Sequence, residues 1–539
     1  MHADRSTRNA VRHLAAVAIA SALAVAPFAR ADQTQDLLSL RNTLVGVLEE
    51  LVKSGVIKPD EARKIVDKAE ADALAEASKQ KSNEAVNPNT VRVAYVPEIV
   101  KDQLRAQIKD ELKGEVTQEV LDQAHRDGWG VPGALPAWIG DMSWHADMRV
   151  RSNSVLFASN NTQGFYLNFQ AINQAGGIGP AGQNAFLNVS EDEHYMNQRL
   201  RFGVDTHIAD GWTMGVRVST GNDGNPVTRN VDIAQYNAPW NTYFDLAFLE
   251  YATKNVVLVG GRFLNPFLST NLVYDDDLTF EGLALTGMLP FESFGADDRA
   301  FLTVGYFPLD QINLSSRDKY LFGSQLGGQF AFGQTSLGVG LAYYDFANLN
   351  GTRNSPGSTK ENFTAPAFVQ KGNTMFDILN DNDPNTGLYA LAAQYQLENL
   401  SFVFDSGPLS ESMHLRFTGD FVRNVGYSES DVYRATGVRV PGKTDGYQFQ
   451  LSVGAPDVNR FGLWRIAALY RHVERDAVVD AFTDSDFHQG GTDAEGWGIE
   501  ALYGLARNTW MRISYLTANE IDGPPLGIDL LQVDLNAKF

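Results

Sequence analysis

The sequence predicts an all-β transmembrane barrel of about sixteen antiparallel strands, preceded by a helical segment. Three observations carry this: a switch to period-two alternation near residue 141, connections that alternate between short and long, and tryptophans that fall where strands begin. The alternation is plainest in the last strand. Leu531, Val533, Leu535, Ala537 and Phe539 share one face, and Gln532, Asp534, Asn536 and Lys538 share the other. The same pattern runs through Trp144-Ala146-Met148-Val150, Leu200-Phe202-Val204 and Tyr447-Phe449-Leu451-Val453. In a soluble sandwich such a face is the core; in a membrane barrel it meets lipid while its opposite lines the lumen.

Strands are expected to start near residues 142, 195, 211, 242, 255, 279, 299, 319, 334, 387, 412, 445, 462, 496, 508 and 527. Short links (209–211, around Lys254-Asn255, 332–334, 456–461, 506–508) alternate with longer ones (158–193, 221–240, 347–385, 425–442, 476–494). That is the short-periplasmic, long-extracellular asymmetry of outer-membrane barrels. Links 289–298 and 398–411 break the rule, being long for turns. Trp144, Trp212, Trp464 and Trp510 open strands that would run outward, and Trp240 and Trp497 open strands that would run inward. All six would sit at membrane–water interfaces, where an amphipathic ring is favoured.

The N-terminus supplies the compartment. Arg5, Arg8 and Arg12 precede an apolar run from Leu14 to Val25 that ends in Ala29-Arg30-Ala31. This is the pattern of a secretory signal peptide, so residues 1–31 are expected to be removed and the mature chain to start at Asp32. Without them the net charge falls from −21 to about −24, which argues against nucleic acid or anionic lipid as a partner. There is no cysteine, so an oxidising compartment adds no disulfide.

Residues 32–140 read as a periplasmic helical or coiled-coil segment with a linker, and residues 141–539 as the barrel. Leu37, Leu40, Leu44, Val47 and Leu51 repeat at 3-4-3-4 spacing, an a/d seam of about two heptads. Gly55 breaks it, and Pro59, Asp60 and Glu61 suit the start of a second helix with Ala62, Ile65, Val66 and Ala69 on its apolar face. Val100, Leu104, Ile108 and Leu112 line a third. A monomeric hairpin and an oligomeric coiled coil both fit.

Motifs for catalysis and metal binding fail on context. Gly177-Ile178-Gly179-Pro180-Ala181-Gly182 spells a dinucleotide fingerprint, but a Gly/Asn-rich loop surrounds it. Asp381 and Asp383 are spaced as calcium ligands, yet Thr386 stands where the loop needs glycine and Ala392 where it needs a bidentate glutamate. The competing reading is a solvated loop. No Gly-x-Ser-x-Gly elbow or metal-spaced histidine set occurs, so neither catalysis nor a cofactor is expected.

Arginine carries the clearest physics. Arg149, Arg151, Arg199, Arg201, Arg217, Arg262, Arg416, Arg465, Arg471 and Arg512 fall on the inward faces of their strands. Closure of the barrel brings many of them onto one wall, which is either polar filler or an electropositive surface that shapes the field across a lumen. The third long connection carries Pro266, Phe267, Leu268, Leu272 and Val273, too apolar for a free exterior loop, followed by Asp275, Asp276 and Asp277. The segment 264–278 is expected to fold into the barrel with these aspartates across from the arginine wall.

Several stretches together resemble the proteobacterial "putative porin" family. They are the Leu-rich N-terminal hairpin with Gly55-Val56-Ile57, Val91-Arg92-Val93-Ala94-Tyr95-Val96-Pro97-Glu98, and Gly128-Trp129-Gly130 through Leu135-Pro136-Ala137-Trp138. The block Gly261-Arg262, Asn265-Pro266-Phe267, Asp275-Asp276-Asp277-Leu278 and Glu281-Gly282 is similar too, as is Gly419-Asp420-Phe421-Val422-Arg423-Asn424. Ile139-Gly140-Asp141 departs from the Arg-rich stretch such proteins often carry there. The resemblance implies an outer-membrane channel for passive diffusion of ions and small hydrophilic solutes, solute unstated. A homotrimer set among outer-membrane lipid and lipopolysaccharide is expected, because sixteen-stranded porins usually trimerise and the Leu37–Leu51 seam could bundle three chains; the terminal Phe539 on its alternating strand looks like the signal read by the barrel assembly machinery. The alternatives are a structural tether gripping peptidoglycan through residues 32–127, and a barrel-embedded hydrolase.

Overall fold

The computed structural model describes residues 142–539 apart from 223, 292–294, 296–297, 314 and 411–412. The signal-peptide and helical-segment expectations, with their 1–31 and 32–140 boundaries, lie outside the described residues. Sixteen antiparallel strands close into a barrel. They are β1 Met142–Phe157, β2 Glu193–Ala209, β3 Trp212–Thr220, β4 Thr242–Ala252, β5 Val256–Leu264, β6 Thr279–Pro290, β7 Arg299–Asp310 and β8 Lys319–Phe332. The circuit continues with β9 Thr335–Ala347, β10 Tyr395–Ser410, β11 Met413–Asn424, β12 Asp445–Gly454, β13 Trp464–Val473, β14 Ala494–Ala506, β15 Thr509–Glu520 and β16 Gly527–Lys538. Each pairs with its sequence neighbours, and β1 closes on β16 in the register Val150↔Leu535 and Arg151↔Asp534. Closure gives every strand a partner on each side.

Pleat explains which residues face which way. On β16 Leu531, Val533 and Leu535 are exposed on the outer wall, while Gln532 and Asp534 are buried inside. Phe539 is exposed, with its backbone N–H donating to the Ala146 carbonyl at 3.0 Å. At one end the links are short. Asp210-Gly211 and Arg507-Asn508 are two-residue turns whose second residue has φ +76° and +56°, the left-handed conformation that tight hairpins need. At the other end the connections run 158–192, 221–241, 265–278, 311–318, 348–394, 425–444, 474–493 and 521–526.

Two expectations are corrected. The tenth strand starts at Tyr395 rather than near 387, because Ala390, Leu391, Ala392 and Ala393 are buried without alternation, and Tyr389–Leu391 pairs instead with Met375–Asp377 in a separate small sheet. The supposed link 398–411 is mostly strand. Gly407, at φ +69°, and Pro408 lie at register shifts in the β10–β11 pairing, so a bulge had the composition of a turn. Among the tryptophans, Trp144, Trp240, Trp464 and Trp497 are exposed, whereas Trp510 shares the inward face of Arg512 and lies beneath Lys538.

Long connections fold back inside the barrel around an apolar core. Phe267, Leu272, Val273 and Tyr274 from 265–278 pack with Phe263, Phe280, Phe307 and Tyr344 from the wall and with Val478, Val479 and Phe487 from 474–493. Phe267 lies 5.1, 6.0 and 6.1 Å from the Tyr344, Phe307 and Phe280 rings, all edge-on. Burying each such ring stabilises the inward fold by about 1.5–3 kcal/mol. That is why so apolar a loop does not stay in solvent.

Candidate functional site

The segment 265–278 crosses the bore and is tied to three parts of the wall. Leu268 exchanges two 2.8 Å hydrogen bonds with Gln325 on β8. Thr270 donates its backbone N–H and its hydroxyl to Asp420 on β11, at 2.9 and 2.7 Å. On the far side Asp277 meets β1 and β2. Its carboxylate accepts from Arg199 at 2.7 Å and Arg201 at 3.3 Å, and lies 3.8 Å from Arg149. The segment folds inward, and Asp277 touches the arginines instead of facing them across an open gap.

The three aspartates have different environments. Asp275 is buried, accepting from Asp277 N–H at 2.8 Å and Ser485 N–H at 2.9 Å. Burial, with Asp484 and Asp277 beside it, pushes its carboxyl up to about 8. Burial would raise Asp277 too, but Arg199, Arg149 and Arg201 override it and hold that carboxyl below the ordinary range. Asp276 is exposed.

Nine of the ten predicted arginines lie on inward strand faces. Arg262 is the exception: Val259 and Phe263 on its strand are the buried, inward residues, so it shares the face of exposed Leu258 and Leu264. Every one of the ten has a carboxylate partner. Arg151 is buried between Asp534 at 2.8 Å and Asp486 at 2.9 Å. Arg199 and Arg201 share Asp147 at 2.9 and 2.7 Å. Arg217 grips Asp245 at 2.7 Å, Arg471 pairs with Asp484 at 2.8 Å, and Arg416 with Asp405 at 3.1 Å. Arg262 lies 3.5 Å from Glu281 and Arg465 3.8 Å from Glu500, while Arg512 bonds Glu500 and reaches Asp534 at 3.1 Å. An electropositive wall is therefore the wrong description: the bore holds an alternating network in which opposite charges satisfy one another.

Sequence reasoning missed the carboxylates. Asp147 and Asp534 sit two residues from, or opposite, inward arginines, so alternation already marks them as inward. Asp484 and Asp486 lie in 474–493, which has no periodicity to read. Burial would raise Asp486, but Arg151, Arg149 and Arg512 draw its carboxyl down to about 2. Asp381 and Asp383 are exposed and bond within their own loop, accepting from Thr386 Oγ1, Asp383 N–H and Asn385 N–H. Among the described residues no group of three His, Asp or Glu is placed to hold a metal ion.

A closed barrel with an apolar outer wall, a charged interior and a connection folded through it defines an outer-membrane β-barrel channel. The chain belongs to the "putative porin" family, whose sequence profile matches residues 41–539. Among solved structures it is similar to Salmonella typhi OmpF in complex with daunomycin (13% identity, 74% of this chain and 97% of that one, TM-score 0.38). It is also similar to the outer-membrane channel DcaP of Acinetobacter baumannii (10%, 74% and 97%, 0.38) and to Pseudomonas putida OprB (8%, 74% and 95%, 0.41). No curated protein matches. Family and fold point to a non-enzymatic channel.

Proposed function

We propose that the barrel is a water-filled pore for passive diffusion of ions and small hydrophilic solutes, with 265–278 as its constriction. The observation that carries this is the seating of Asp277 among Arg149, Arg199 and Arg201 on the opposite wall. Charged side chains grouped at the narrowest level of a pore set which ions pass, and fixed charges of both signs create a transverse field that orders polar solutes. Planar-bilayer recording of the purified chain is expected to give discrete current steps that scale with salt. A barrel that inserts and stays silent would overturn the reading and favour the peptidoglycan-tether alternative.

The pore is proposed to work as a homotrimer, with the Leu37–Leu51 seam able to bundle three chains. Cross-linking in native membranes is expected to trap dimers and trimers. Only monomer, under conditions that preserve other porin trimers, would rule this out.

A further inference from the structure

We infer that a side cavity of the bore is a binding subsite for a small aromatic monoanion, an aromatic carboxylate in chemical class. The cavity has a volume of about 410 Å³ and lies between connection 221–241, strands β4 to β8 and the inward parts of 348–394 and 474–493. Phe280, Phe307, Phe368 and Phe482 give it apolar walls, and Arg229 and Arg262 line the same space. This pairing of flat apolar surface with guanidinium groups is what an aromatic acid presents in complement.

The charge balance inside the cavity selects the sign. Asp245 is engaged by Arg217 at 2.7 and 3.0 Å, and Asp310 lies 3.3 Å from Lys319. Arg262 donates Nε to Thr279 Oγ1 at 2.9 Å, and its nearest carboxylate is the mostly exposed Glu281, 3.5 Å from Nη1. Arg229 approaches Asp245 only to 3.9 Å and spends Nη1 on the carbonyls of Asn225 and Thr228. Burial, and then the like charge of Arg262, holds the Arg229 guanidinium below its usual range. Two arginines that repel each other across a cavity are relieved by an anion placed between them.

Three residues lining the cavity each keep a buried polar atom with no hydrogen-bond partner among the described residues: Arg229 Nε, Tyr274 Oη and Asp480 Oδ1. Buried polar atoms are nearly always paired, and two of these three, Arg229 Nε and Tyr274 Oη, are donors carried by residues of the cavity wall. Burial pushes Asp480 up to about 7, which lowers the negative charge facing an incoming carboxylate. A neutral polyol would leave the arginine pair uncompensated and the phenylalanine walls unmatched. A small aliphatic anion would satisfy the arginines and bury almost no apolar surface.

The subsite lies in the bore of the proposed channel, but its test does not require conduction. Benzoate would be titrated calorimetrically into the detergent-solubilised full chain, with acetate and benzyl alcohol as the aliphatic and uncharged probes. Benzoate is expected to bind saturably and both other probes at least roughly ten-fold more weakly, since each lacks one of the two matched features. Arg229→Gln and Arg262→Gln are each expected to weaken benzoate roughly ten-fold, the loss of one charge-assisted contact. Arg423→Gln, on the outer wall, controls for net charge and should bind as the parent does. Arg229 lies on a connection and not on a strand, so its variant keeps the test open if Arg262→Gln fails to assemble. No benzoate heat, acetate binding equal to benzoate, or unchanged binding in Arg229→Gln would each overturn the inference. Binding retained by a barrel that conducts nothing would sustain the subsite while ending the channel reading.

Discussion

Asp277→Asn is expected to shift the ion preference of the pore toward anions by roughly ten-fold in permeability ratio. The substitution removes one full charge at neutral pH, because Arg199, Arg149 and Arg201 hold Asp277 ionised. What stays behind is three guanidiniums beside Asp147. A unit charge acts on an ion about 8 Å away with roughly 2 kcal/mol at an effective dielectric of about 20, before salt screening trims it. About 1.4 kcal/mol is a factor of ten. Asp275→Asn provides the internal contrast. Its carboxyl sits at about 8, so at pH 7 it is mostly protonated and its loss should leave selectivity nearly unchanged. Because its folded value is raised, the stability Asp275 contributes is fully present below the ordinary carboxylate pKa of about 4 and is lost progressively as pH rises to about 8, above which it is ionised beside Asp277, Asp484 and Asp486. Reversal potentials in a salt gradient decide the matter. Unchanged selectivity in Asp277→Asn would put this aspartate outside the conduction path.

The strands were legible because alternation is a strict consequence of the pleat, and a barrel repeats it at every position. Reading failed where alternation does. Ala390 to Ala393 are three alanines and a leucine, an apolar run without alternation, and they belong to a loop packed inside the barrel. The inward arginines were readable for the same reason as the strands. Their neutralisation was half readable: Asp147 and Asp534 lie on strands in register with Arg201 and Arg151. Asp484 and Asp486 reach Arg471 and Arg151 from a connection, and long-range placement of a loop residue leaves no local pattern. The apolar content of 265–278 was a usable signal, since Phe267 and Leu272 in a free loop would cost what their burial returns. It announces that the loop packs but not which wall it reaches.

The wall it reaches is tested by Asp420→Ala. Asp420 is fully buried on β11 and accepts four hydrogen bonds, from Thr270 N–H at 2.9 Å, Thr270 Oγ1 at 2.7 Å, Asn399 Nδ2 at 2.5 Å and Ser401 Oγ at 3.1 Å. Alanine leaves these donors facing an apolar methyl, and each buried donor without a partner costs about 1–3 kcal/mol. Some recover through water entering the space, so a net loss of about 3–5 kcal/mol, in the range for breaking a buried charged group's contacts, is expected. The loss falls on the middle of 265–278, while Gln325 and the Phe267 ring cluster hold one flank and the arginines hold Asp277 on the other. The segment should therefore bow away from β11 without leaving the bore, raising single-channel conductance and open-state noise together and lowering the temperature of barrel unfolding. Asp420→Asn keeps one carbonyl acceptor and the side-chain volume, so its effect should be intermediate in both measurements. Conductance and noise that match the parent in Asp420→Ala, in a barrel whose stability has fallen, would show that the Thr270–Asp420 contact supports the wall and does not set the width of the pore.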